Sequence, residues 1–196
     1  KPVEDILELY HLGQRDFGEN YVQELVDKYE QLPKDISWHF IGHLQSNKVK
    51  QIAPFVSLIH SVDSKKLLEE VNKQAIKNDR VIDCLLQVHI AKEETKFGLD
   101  EEELKKIIAT DLANETGYKN VSIKGLMGMA SFTDNASILR KEFQSLKILF
   151  DQFSLSHSPF SILSMGMSSD YKVAIEEGSN MVRIGSLLFG ERITKK

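Results

Sequence analysis

Two short stretches near the carboxyl end carry residue types suited to holding a charged ligand. The first is Ser164-Met165-Gly166-Met167-Ser168-Ser169-Asp170; the second, about fifteen residues later, is Val182-Arg183-Ile184-Gly185-Ser186. Each ends an apolar, β-prone run (Phe160-Ser161-Ile162-Leu163 and Met181 to Ile184) and passes through glycine and serine into a helix-like segment. A serine-rich strand-to-helix turn offers hydroxyls and unpaired backbone N–H groups at a positive helix end, which suits a phosphate. Two such turns on the last two strands of an α/β chain match the phosphate site of a (β/α)8 barrel. The plainer reading is that Ser169 or Asp170 only caps a helix over 171–177 and that Gly185 is only a tight turn. Their pairing favours the phosphate.

The elements that would position these turns alternate. Val3, Ile6, Leu7 and Tyr10 have helical spacing and stop at Gly13; a short strand is expected over 15–20 and a helix over 21–30. Residues 36–41 alternate in the manner of a strand, then Gly42-His43 leads into a helix over 44–52. A strand at 58–62 precedes a helix at 65–77 capped by Asp63 or Ser64, and 83–90 reads as a long buried strand. A loop at 91–98 leads to a helix at 101–113, with Asp100 as its cap and an acidic first turn that complements the helix dipole. Strand 121–129, a turn at Thr133-Asp134-Asn135, helix 136–153, strand 160–165, helix 171–177 and strand 181–184 complete the series, with a polar tail at 191–196. Seven strands alternating with helices are the pattern of a parallel α/β architecture, one strand short of a closed barrel.

Composition narrows the function. The chain has 196 residues, is 41% hydrophobic and has a net charge of −4, ordinary values for one compact domain. Lysines are scattered among glutamates, and no basic block suits a nucleic-acid backbone. No apolar run approaches the ~20 residues of a membrane span, and the start does not read as a signal peptide. The single cysteine, Cys84, lies in an apolar run and reads as a core residue of a reducing compartment, so the cytoplasm is the expected location.

Five blocks are more specific. Phe17-Gly18-Glu19-Asn20-Tyr21-Val22-Gln23-Glu24, Trp38 through Lys48, Gly125-Leu126-Met127, Leu163 through Ser168, and Val182-Arg183-Ile184-Gly185 occur in that order over nearly the whole chain. The sequence resembles the pyridoxal phosphate homeostasis protein family. The resemblance implies an α/β fold, a (β/α)8 TIM barrel like the N-terminal domain of alanine racemases, with residues 1–196 forming a single domain. It also implies a bound pyridoxal 5′-phosphate (PLP), held as a carrier or reservoir without established turnover.

Carried over position by position, the resemblance makes Ser168 a phosphate ligand, with Gly185 and Ser186 adding backbone N–H groups and the Ser186 hydroxyl. Ser164 belongs to the same stretch. Arg183 would lie near the cofactor, facing the pyridine nitrogen or the phosphate; at the nitrogen, a guanidinium would keep the ring a poor electron sink. Asn20 would stand beside the ring, and His39 and Met127 on strands lining the barrel mouth. The covalent lysine implied by the family pattern falls two residues upstream of Lys1, on a first strand that precedes the sequence. The implied partners are PLP and PLP-dependent apo-enzymes, with neither nucleic acid nor membrane, and the expected state is a monomer.

Other readings compete. His39 and His43 are four apart, a ligand spacing that works on a helix and not on a strand-to-turn path, so no metal is expected. His60 and His89 read as core or strand-end histidines with one hydrogen bond each. Met127, Met129, Met165 and Met167 read as barrel filling, and Gly18, Gly42 and Gly166 as relief of turn strain. Asn47 and Lys48 are either helix surface or a ligand or partner contact. Ser168 with Asp170 lacks a G-x-S-x-G elbow. The functional alternative is a PLP-dependent amino-acid racemase or decarboxylase of related fold; a generic phosphate-metabolite barrel enzyme is a third possibility, and the 17–24 and 38–48 blocks weigh against it.

Overall fold

A computed structural model describes residues 1–93, 97–109, 118–154 and 160–190. The expected tail at 191–196 and the last part of the helix expected over 101–113 lie outside those residues. The order of elements is α1 (Val3–His11), β1 (Asp16–Glu19), α2 (Val22–Gln31), β2 (Ser37–Phe40), α3 (Val49–Ile52), β3 (Leu58–Val62), α4 (Lys65–Lys77) and β4 (Ile82–Val88). It continues with α5 (Glu101–Ile107), β5 (Val121–Gly128), α6 (Ala136–Ser154), β6 (Ile162–Met167), α7 (Tyr171–Glu176), β7 (Met181–Arg183) and α8 (Ser186–Phe189).

All seven strands are parallel and pair in sequence order, β1 to β7. Parallel neighbours need a crossover, and a helix or helical turn supplies each one. The sheet rolls into a nearly closed barrel: His60 on β3 reaches Ser164 on β6 across its inner face. Between the outermost strands, the Lys1 ammonium donates to the carbonyls of Phe189 (2.8 Å) and Gly190 (2.6 Å), tying the start of α1 to the end of α8.

Local chemistry explains the starts of three helices. Ser64 accepts the Leu67 N–H at the start of α4, and Asp100 with Glu103 forms a capping box on α5, as the acidic turn suggests. Asn135 accepts the N–H groups of Ser137 and Ile138 before α6. Alternation then sorts the side chains. Phe17, Trp38, Phe40, Ile59, Leu86 and Leu163 belong to the main core, while Leu58, Leu85 and Met127 form a separate cluster inside the barrel. Each such buried apolar side chain contributes about 1.5–3 kcal/mol.

Most bounds differ from the expectation by one or two residues, and two elements differ in kind or in place. The helix expected over 44–52 is a 3-10 turn at Ser46–Lys48 followed by α3; Asn47 and Lys48 are exposed on that turn. Strand β6 runs two residues later than its apolar stretch, because pairing with β5 starts at Gly125 and Ile162 and pairing with β7 reaches Met167. Of the three glycines read as turn relief, only Gly166 has a positive φ, +94°, and a Cβ there would also lie 2.6 Å from that of Ala174. Gly42 is needed for space instead: a Cβ would lie 2.1 Å from the Asn20 carbonyl oxygen.

Candidate functional site

The two serine-rich turns meet at the carboxyl end of the barrel. Ser168 follows β6, and its Oγ accepts the N–H of Gly185 (3.1 Å) and of Leu187 (3.4 Å) from the turn after β7. Asp170 stabilises its own turn by accepting the Met167 N–H at 2.6 Å, so it folds the chain back and does not cap α7 with its side chain. Below the turns, Ser179 donates to the Met165 carbonyl (2.7 Å) and Asn180 accepts from Leu163 N (2.7 Å), holding β7 against β6. Gly185 and Ser186 are exposed, and a Cβ on Gly185 would meet nothing within 4 Å. The cradle therefore has hydroxyls, converging N–H groups and open space in front of them.

Arg183 closes β7 and is half-buried. Its Nη1 donates to the Ser164 carbonyl (3.0 Å) and Oγ (2.8 Å), and its Nη2 to the Gly128 carbonyl (3.1 Å). Burial lowers the guanidinium to about 10, which leaves it charged at neutral pH. Ser164 is fully buried, so it acts on the mouth through Arg183 and does not itself line it. Met127 is also fully buried and packs inside the barrel. Asn20 is exposed at the end of β1.

His39 does not face the mouth. Its Nδ1 lies 3.0 Å from His60 Nε2 inside the barrel, and its Nε2 lies 3.6 Å from Asp16 Oδ1 at the start of β1. His60 makes two hydrogen bonds, to His39 and to Ser164 Oγ (3.1 Å), where sequence reasoning assigned one. Among the described residues His89 has a side-chain hydrogen bond to the Glu93 carbonyl at 3.0 Å. His43 points elsewhere, pairing with Asp63 (3.1 Å) and stacking on Phe97 (ring centroids 3.9 Å apart). These rings and carboxylates carry no local pattern; only the alternation of β2 and β3 hinted that His39 and His60 share the inner face.

A phosphate monoester on an aromatic ring fits these groups. The oxygens suit the Gly185 and Leu187 N–H groups and the hydroxyls of Ser168 and Ser186, and the ring edge suits Arg183. The Lys1 ammonium is engaged by two carbonyls and is not disposed to hold an aldehyde.

Comparison with known proteins bears on the family and the fold. The alanine racemase N-terminal domain family model matches residues 3–193. The pyridoxal phosphate homeostasis protein of Aquifex aeolicus is 46% identical over 193 residues, covering 97% of this chain and 83% of that protein. Its namesake in Schizosaccharomyces pombe is 38% identical over 198 residues, covering 100% of this chain and 82% of that protein. PipY of Synechococcus elongatus, solved with PLP bound, superposes with a TM-score of 0.86 at 35% identity over 96% of this chain and 88% of PipY. Alanine racemase of Bartonella henselae shares the fold: TM-score 0.72, 20% identity, 98% of this chain and 52% of the racemase.

Proposed function

Because the chain belongs to the pyridoxal phosphate homeostasis protein family, we propose that it binds PLP at the barrel mouth and holds it as a carrier or reservoir. The observation that carries this reading is the bonding of the two turns through Ser168 Oγ, which gathers the Gly185 and Leu187 N–H groups at one point. A phosphate oxygen is a stronger acceptor than a hydroxyl and takes over those donors. PLP, when bound, supplies an aldehyde and an electron-accepting ring. The protein's own residues supply the rest: the turns grip the phosphate, Ser186 adds a hydroxyl, Asn20 borders the ring, and Arg183 presents a permanent cation to it. A charged donor at the ring nitrogen keeps that nitrogen unprotonated and the ring a weak electron sink, which favours storage over carbanion chemistry.

In this reading the recipients are PLP-dependent apo-enzymes in the cytoplasm and the working state is a monomer. Among the described residues no helix is long and apolar enough to cross a membrane. Equilibrium dialysis against PLP and against pyridoxal, which lacks the phosphate, tests the site: PLP is retained more tightly by about tenfold or more, the scale of one charge-assisted contact. Equal retention of the two, or of neither, overturns the reading. Incubating the PLP-loaded protein with amino acids tests the enzyme alternative, which sustained racemisation or decarboxylation would establish.

A further inference from the structure

Asp16, His39, His60, Ser164 and Arg183 stand on five strands, β1, β2, β3, β6 and β7, and their polar atoms form one continuous line through the barrel. Asp16 Oδ1 is 3.6 Å from His39 Nε2, His39 Nδ1 is 3.0 Å from His60 Nε2, and His60 Nδ1 is 3.1 Å from Ser164 Oγ. Ser164 Oγ accepts from Arg183 Nη1 at 2.8 Å. The ends are chemically opposite: a guanidinium only donates and a carboxylate only accepts. That asymmetry sets the direction of every bond between them.

Ser164 Oγ receives a proton from Arg183, and its own hydroxyl proton has His60 Nδ1 as its acceptor among the described residues. His60 must then carry its proton on Nε2 and donate to His39 Nδ1. His39 must likewise carry its proton on Nε2, which faces Ser37 Oγ at 3.5 Å and the Asp16 carboxylate at 3.6 Å, a separation too long for a hydrogen bond. Both rings are neutral in this arrangement. Burial, then His39, then Arg183 hold His60 well below the ordinary imidazole range; burial lowers His39, and Asp16 opposes that. The charged groups facing the line are Asp16 from β1 and Arg183 from β7, with Asp170 after β6 acting on Arg183.

We propose that these residues form a one-directional hydrogen-bond relay from Arg183 to His39, with the Asp16 carboxylate facing its end, which positions the Arg183 guanidinium at the mouth and couples its hold on a ligand to the protonation of His39 near the opposite end of the barrel. A proton added to His39 makes both of its nitrogens donors. His60 then shifts to its Nδ1–H tautomer, and Ser164 Oγ faces two donors while its own proton loses its acceptor. The anchor of Arg183 is weakened from a side chain on another strand. Asp16 is the gate to solvent, its side chain 65% exposed. The relay stands on this chain's geometry; its effect on the ligand rests on the PLP reading.

The test uses 15N-histidine-labelled protein and side-chain nitrogen–proton correlation spectra, first without PLP. At neutral pH, His39 and His60 are expected to be neutral with the proton on Nε2. Asp16→Asn shifts the second protonation of His39 to lower pH, and Ser164→Ala lets His60 populate both tautomers. An Nδ1 proton on either ring, or a His39 titration unmoved by Asp16→Asn, overturns the relay. The pH at which PLP is lost is then measured in the parent protein and in Asp16→Asn, and it is expected to move with His39. A PLP midpoint that stays put while His39 moves overturns the coupling. The expected spectra from a protein that takes up no PLP would sink the cofactor reading and leave the relay standing.

Discussion

The hydroxyl of Ser168 accepts the backbone N–H of Gly185 at 3.1 Å, joining the turn after β6 to the turn after β7. One side chain thus sets the spacing of a cradle whose two halves are seventeen residues apart in the chain.

Ser168→Ala removes that acceptor and the hydroxyl offered to a phosphate, and PLP affinity falls by about tenfold, as for one lost hydrogen bond to a charged group. Gly185→Val tests the same place by filling it. Because a Cβ there meets nothing within 4 Å, the fold tolerates the change while the cradle is blocked. Titration with PLP beside a thermal melt separates the two effects; undiminished PLP binding in Gly185→Val would place the ligand elsewhere.

Arg183→Met leaves the carbonyls of Ser164 and Gly128 without their charged donor and lowers stability by about 2–3 kcal/mol. Arg183→Lys does not restore it. An ammonium is a point charge and cannot span β5 and β6 as the planar fork does. Urea denaturation of both variants checks this, and a lysine variant as stable as the parent contradicts it.

His60 fixes the sign of a pH effect. Its folded value lies well below the ordinary 6.5, so below that pH the unfolded chain binds a proton that the folded chain resists. Its contribution is therefore fully present above pH 6.5 and is lost as pH falls from 6.5 toward the folded value. Urea midpoints should decline over that window in the parent and decline less in His60→Gln. Parallel curves for the two proteins would remove His60 as the cause.

Ser61 lies on β3 beside His60, on the opposite face of the strand, and its buried Oγ has no hydrogen-bond partner among the described residues. A buried hydroxyl without a partner costs about 1–3 kcal/mol, so Ser61→Ala is expected to raise the melting temperature by a few degrees. A lower melting temperature would mean that the hydroxyl is satisfied.

What could be read from the sequence was local. The helices and strands declared themselves through apolar spacing, and caps such as Asp100 through chemistry confined to one turn. The two serine-rich turns were legible for the same reason, each being a short run of neighbouring residues, whereas the bond from Gly185 N–H to Ser168 Oγ that joins them, seventeen residues apart, was not. The family blocks made Arg183 a candidate without saying what would hold it. The start of β6 was misplaced because the apolar run begins at Phe160, two residues before pairing with β5 begins at Ile162.

Sequence alone determined the alternation of strands and helices, the two serine-rich turns and the family. Tertiary structure decided how Arg183 is held, and that His39 turns inward while His43 meets Asp63. His60 and Ser164 are 104 residues apart, and their contact exists only because the sheet curls until β3 faces β6. Periodicity shows which face of a strand a side chain takes. Barrel closure and strand register decide which side chain it meets there.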